Sequence, residues 1–252
     1  LPGDILATLD DIGFTTPTPI QEQAIPVALA GHDILGSAQT GTGKTAAFVL
    51  PMIKHLTENP ASTALILLPT RELAQQVQDS CRLMLGRRAA IKSALLIGGA
   101  GMSAQLRELK QSPRVIIGTP GRINDHLVRR SLSLKDTDFL VLDETDRMLD
   151  MGFGIQLDQI VKFLPKERQT LMFSATLPAN ILNLARKYQK APVRIAIGTA
   201  NQAAANIRQE LIKTSDTGKY GELLKQIKEL DGSMLIFVKT KYAAERLSRR
   251  LN

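Results

Sequence analysis

A glycine-rich loop set between an apolar strand and a helix limits this chain to few architectures. Ala38-Gln39-Thr40-Gly41-Thr42-Gly43-Lys44-Thr45 follows the short apolar run Asp33 to Leu35 and opens the helical stretch Thr45 to Thr57. Glycines let backbone N–H groups curl round a phosphate, and a helix N-terminus adds partial positive charge at the same spot. In such a loop Thr40, Gly41, Thr42 and Gly43 form the cradle, Lys44 reaches the β- and γ-phosphates, and the Thr45 hydroxyl binds Mg2+. The pattern usually begins with glycine, so Ala38 departs from it by one methyl group. Stripped of its flanks, the segment reads as a plain glycine-rich turn; the strand before it and the helix after it carry the assignment.

The rest of the first 200 residues supports that architecture. Short apolar runs occur at Ala64 to Leu68, Ala94 to Ile97, Val115 to Ile117, Phe139 to Leu142, Thr170 to Phe173 and Val193 to Ile197. Several lack polar alternation, as strands buried on both faces do. Helical patterns lie between them, at Arg71 to Leu85, Ala104 to Lys110 and Ala179 to Tyr188. The fold class is α/β, a doubly wound and mostly parallel sheet with helices on both faces, of the P-loop nucleotide-hydrolase type. We assign residues 1–197 to this domain and residues 198–206, small and polar, to a linker. Residues 207–252 then read as the start of a second α/β unit: strands Ile207 to Ile212 and Met234 to Val238, helices Lys219 to Leu230 and Lys241 to Leu251.

A second chemical signal strengthens the first. The strand Phe139 to Leu142 ends in Asp143-Glu144, at the carboxyl edge where open α/β sheets bind ligands. There Asp143 can hold Mg2+ through water, and Glu144 can orient and deprotonate an attacking water. An acidic pair after a strand also reads as a helix N-cap. Combined with the glycine loop, it describes a nucleotide hydrolysis site with Lys44, Asp143 and Glu144 as its catalytic groups.

Seven short motifs occur in order: Gly13-Phe14-Thr15-Thr16-Pro17-Thr18-Pro19-Ile20-Gln21, Ala38 to Thr45, Pro69-Thr70-Arg71-Glu72-Leu73-Ala74, Gly98-Gly99, Thr119-Pro120-Gly121-Arg122, Asp143-Glu144-Thr145-Asp146 and Ser174-Ala175-Thr176. The series closely resembles the first RecA-like domain of the DEAD-box ATP-dependent RNA helicases, and Leu235 to Thr240 resembles the first motif of their second domain. The resemblance implies ATP and Mg2+ as cofactors and RNA as partner, together with ribonucleoproteins. By that resemblance Gln21 reads adenine, with Phe14 beside the base. Thr70, Arg71, Gly98, Gly99, Thr119, Gly121 and Arg122 bind the backbone of single-stranded RNA. Ser174 and Thr176 resemble the motif that couples hydrolysis to strand separation, through hydrogen bonds with Asp146. The RNA groups are hydroxyls, guanidiniums and backbone N–H groups, so binding is expected to be sequence-tolerant and salt-sensitive.

Thr145 departs from the family, which has Ala there; hydrolysis is expected to survive, with altered coupling. The family's second-domain arginines lie past Asn252. Without them the chain is expected to bind ATP but hydrolyse it poorly, since such an arginine is worth ~10³–10⁵ in rate. A related helicase-fold ATPase acting on DNA, and a non-catalytic nucleotide- and RNA-binding regulator, stay open at this point. Leu1 is not a start methionine, from which we expect a processed or excised segment.

Composition excludes other classes. One Cys rules out an internal disulfide and a cysteine-based zinc site. Aromatics at 4% without Trp argue against carbohydrate platforms. No apolar run approaches the ~18 residues of a membrane span. The net charge of +8 suits either a solvated surface or a polyanion partner. The resemblance leans toward a cytoplasmic protein, and no residue excludes a nuclear one. Cys81 is expected to be a buried small hydrophobe, His32, His55 and His126 to be structural or exposed, and Met148, Met151 and Phe153 to pack in the core.

Overall fold

The computed structural model describes residues 3–39, 41–86, 91–197 and 210–251; Thr40 and the linker expected at 198–206 lie outside them. The chain divides into two compact units, Leu1–Gln202 and Ala203–Asn252.

The first unit is built on seven parallel strands: β1 Ile34–Ser37, β2 Thr63–Leu67, β3 Ser93–Leu96, β4 Val115–Gly118, β5 Thr137–Leu142, β6 Gln169–Ser174 and β7 Val193–Ala196. Their order across the sheet is β3-β4-β2-β5-β6-β1-β7. Every expected strand of this unit forms, within a residue or two of its expected ends. Consecutive side chains enter opposite layers: Ala64 and Ile66 pack in one core cluster, Leu65 and Leu67 in the other. Burial on both faces explains the unbroken apolar runs.

Helices α1 Gly3–Asp11, α2 Pro19–Leu29, α3 Lys44–Glu58 and α4 Arg71–Leu85 contribute buried side chains to the first cluster. The second cluster is shared by α6 Pro120–Val128, α7 Thr145–Asp150, α8 Gly154–Val161 and α9 Ala179–Tyr188. Between β3 and β4 runs α5 Met102–Leu109, whose buried side chain is Gln105. Phe48 on α3 packs on Phe173 of β6 with ring centroids 5.7 Å apart. Cys81 is fully buried, and burial pushes its thiol up to about 12, so it is an inert apolar filler.

The second unit departs from expectation. Helices α10 Lys219–Glu229 and α11 Lys241–Leu251 form, and Tyr220 Oη donates to Arg250 O at 2.8 Å. Residues 234–238 are not a strand, nor are 210–212; residues 207–209 lie outside the described set. A strand needs a paired neighbour for its backbone groups, and none is formed here among the described residues. Leu235 and Phe237 stand 78% and 87% exposed, so the apolar pattern is present without the layer that would cover it.

Candidate active site and nucleic-acid groove

Strand order places two groups of residues along the carboxyl edge of the first unit's sheet. Adjacent strands β5, β6 and β1 end in Asp143-Glu144, Ser174-Ala175-Thr176 and the glycine loop. Adjacent strands β3, β4 and β2 end in Gly98-Gly99, Thr119 to Arg122 and Thr70-Arg71. Because β2 pairs with β5, the two groups meet in the middle of the sheet.

In the first group, Gly41 and Gly43 hold φ of 83° and 90°, in the left-handed region open to glycine. Gly43 is the N-cap of α3, so the helix's unpaired N–H groups face the loop. A Cβ on Gly43 would lie 2.5 Å from Gln21 Nε2. Gln21 Nε2 donates to Gly43 O at 3.0 Å while its Oε1 accepts from Thr18 N at 3.0 Å. That ties the first turn of α2 to the loop and leaves the amide one N–H and one lone pair. Phe14 stands 44% exposed, after α1.

Lys44 is buried, donates to Ala38 O at 3.0 Å and lies 3.9 Å from Asp143 Oδ1. Asp143 is 6% exposed, and burial pushes its carboxyl up to about 6, although Lys44 and the Glu144 N–H bond of 2.9 Å pull the other way. The donor set fits a hard divalent cation: the Thr45 hydroxyl and a buried carboxylate with one ammonium near it. No cluster of three or more His, Cys, Asp or Glu that could hold a metal occurs among the described residues. Such a site would share its cation with phosphate oxygens rather than cage it. Glu144 has φ 51°, strained for a side chain of its size, and accepts from Arg147 Nη1 at 3.2 Å. Arg147 escaped the sequence reading, although its i+3 spacing from Glu144 was a usable signal.

Asp146 joins β5 to β6. Its Oδ2 accepts from Ala175 N at 3.1 Å and from Thr176 N and Oγ1 at 3.0 Å each. Ser174 does not take part: its side chain is fully buried and its Oγ has no hydrogen-bond partner. The expected pair of hydroxyl links to Asp146 is therefore corrected to one, because Ser174 still belongs to β6 and Ala175 is the first residue past it. Thr145 is fully buried and donates to Leu142 O at 3.2 Å and Phe173 O at 3.1 Å. Its hydroxyl is satisfied by the ends of the same two strands.

The second group lines a groove of ≈ 500 Å³ that includes Thr70, Arg71, Gly98, Thr119, Gly121 and Arg122. Gly99 has φ 79°, and a Cβ there would fall on the Arg71 guanidinium. Arg122 Nη1 donates to Ala100 O at 3.1 Å, and its Nε lies 3.6 Å from Asp125. Glu72, Asp125, Met151 and Phe153 also line the groove. Met151, expected in the core, is 50% exposed here, because α7 ends before it. Met148, one turn earlier, is fully buried.

Comparison with known proteins agrees with this geometry. The family described as DEAD/DEAH box helicase matches residues 18–184. The ATP-dependent rRNA helicase RRP3 of Yarrowia lipolytica is 43% identical over 97% of this chain and 51% of its own length. DEAD-box ATP-dependent RNA helicase 30 of Arabidopsis thaliana is 42% identical over 99% of this chain and 44% of its own. The chain thus spans about half the length of these relatives. Among solved structures, a DEAD box protein from the hyperthermophile Methanococcus jannaschii is 38% identical with a TM-score of 0.75, covering 100% of this chain and 68% of that one. A hypothetical ATP-dependent RNA helicase from Sulfolobus tokodaii gives 28% and 0.72, covering 78% and 57%. With the family spanning most of the first unit and its motifs gathered on one sheet edge, this chain belongs to the DEAD/DEAH box helicase family.

Proposed function

We propose that this chain serves an RNA-dependent ATPase that separates short RNA duplexes or remodels ribonucleoproteins, binding ATP at the β5-β6-β1 edge and single-stranded RNA in the groove beside it. The observation that carries the reading is the continuous carboxyl edge, where the Asp143-Glu144 turn and the Ser174-Ala175-Thr176 turn are joined through Asp146. In this reading Gly41 to Thr45 cradle the phosphates and Lys44 leaves Ala38 O to reach them. The remaining amide capacity of Gln21 meets adenine. Thr45 and Asp143 would hold Mg2+ bound with ATP, which would supply positive charge to the phosphate oxygens. Glu144, released from Arg147, accepts a proton from the attacking water. Arg71, Arg122 and the hydroxyls of Thr70 and Thr119 meet RNA phosphates, with no groups arranged for base readout. A cytoplasmic place of action belongs to the same reading.

The test is competition binding with Mg-ATP against Mg-GTP and with single-stranded RNA against DNA of the same sequence. The reading expects preference for ATP and RNA. RNA affinity is expected to fall steeply with salt, and Arg71→Ala and Arg122→Ala are each expected to lower the salt slope by about one. A salt-insensitive interaction, or equal affinity for DNA, would contradict it.

A further inference from the structure

The Gly98-Gly99-Ala100 loop forms one wall of the groove, yet its own side chains cannot fix it. What fixes it comes from behind. Gln105, the buried residue of α5, donates through Nε2 to Ile97 O at 2.9 Å and to Ala100 O at 3.4 Å. Its Oε1 lies 3.2 Å from His126 Nε2 on α6, and His126 Nδ1 lies 2.8 Å from Ser131 Oγ. His126 is fully buried. One turn earlier on the same helix, Arg122 also donates to Ala100 O. A direct and a relayed contact from α6 therefore converge on the same carbonyl.

The donors and acceptors fix the Gln105 amide and the protonated nitrogen that faces it. Two backbone carbonyls demand that the Gln105 amide present its NH2 to the loop, so its carbonyl oxygen faces His126. His126 Nε2 must then carry the proton and donate; the Ser131 hydroxyl, which also lies 3.1 Å from His126 O, gives its one proton to Nδ1 when the ring is neutral. Burial and the nearby Arg122 and Arg129 lower the His126 pKa, in keeping with a neutral ring. We propose that Gln105 and His126 are positioning residues for nucleic-acid binding: their hydrogen-bonded relay holds the Gly98 to Ala100 loop in the shape that receives the Arg71 guanidinium and, with it, an RNA phosphate. The proposal rests on the reading of the groove as an RNA site. Neither residue touches the nucleotide edge or the groove itself.

Gln105→Leu removes both ends of the relay. Gln105→Glu keeps the shape but turns an acceptor-only carboxylate toward two carbonyls. Affinity for a fluorescent ten-nucleotide single-stranded polyuridylate is measured on the whole chain beside affinity for Mg-ATP and the melting temperature. Salt-sensitive binding by the wild type tests the groove reading; the variants test the relay. A loss of RNA affinity of about tenfold in both variants is expected, with Mg-ATP affinity within twofold and the wild-type salt slope retained. RNA affinity unchanged in a folded variant, or equal loss of RNA and nucleotide binding, would overturn the proposal. If neither variant folds, the wild type still decides: ¹⁵N shifts of His126 are expected to show the neutral Nε2–H tautomer. An Nδ1–H tautomer would sink the relay, because Gln105 could not then face both His126 and the loop as described.

Discussion

Asp143 shows how a single buried carboxyl can oppose stability. Burial raises its pKa to about 6. A carboxyl that holds its proton more tightly in the folded chain than in the unfolded one costs stability as pH rises from ~4 through 6, and the cost persists above that. Asp143→Asn is therefore predicted to stabilise the nucleotide-free chain by about 1–3 kcal/mol at pH 7.5, a gain that vanishes toward pH 4. Urea melts at the two pH values check this; a destabilised variant at neutral pH would contradict it. Glu144→Gln is predicted to leave Mg-ATP binding intact and to lower any turnover ~10²–10⁴-fold, as loss of a general base does. At Gly99 an added methyl group would strain a left-handed residue by ~1–2 kcal/mol and displace Arg71. Gly99→Ala is accordingly expected to weaken RNA binding about tenfold while sparing ATP, measured by polarisation. Thr145 replaces the family's Ala without an orphaned hydroxyl, since two strand-end carbonyls receive it.

Between elements, the glycine loop is supported from below. Phe48 and Phe173, both fully buried, pack α3, the helix the loop opens, against β6. Phe48→Ala is predicted to cost about 3–5 kcal/mol in denaturant melts. Elements that obey one strong signal were legible in the sequence: all seven strands of the first unit, through their buried runs, and α3, α4, α5 and α9, through helical periodicity. Others hid behind local chemistry. The Pro17-Thr18-Pro19 segment reads as a turn, yet Pro19 sits at the first position of α2, where proline loses nothing. Pro120 does the same for α6, and α7, six residues long, is too short for periodicity. Strands at 207–212 and 234–238 were expected from the apolar pattern, but the described residues 210–212 and 234–238 lack the paired neighbour against which a strand forms. The nucleotide cradle and the acidic pair could be derived from residue chemistry. Members of the groove were reachable only through resemblance, and the roles of Gln105 and His126 are visible only in three dimensions, since their meaning is a hydrogen-bond partner elsewhere in the fold.

On the scale of the molecule, the two proposed binding edges share one sheet, so in this reading nucleotide and RNA would influence each other through strands β2, β5 and β6 without a distant relay. The net charge of +8 is compatible with the proposed polyanion partner. No helix among the described residues is long and apolar enough to cross a membrane. The second unit exposes Leu235 and Phe237, an apolar face that the described residues of that unit leave uncovered. The central claim is that the β5-β6-β1 edge is an ATP site built on Lys44. The most direct measurement is calorimetric titration of Mg-ATP into the wild type, Lys44→Ala and Glu144→Gln, with turnover followed in parallel with and without single-stranded RNA. The account predicts saturable Mg-ATP binding by the wild type and by Glu144→Gln, abolished by Lys44→Ala, with slow turnover that Glu144→Gln removes. No binding by the wild type, or binding indifferent to Lys44→Ala, would contradict it.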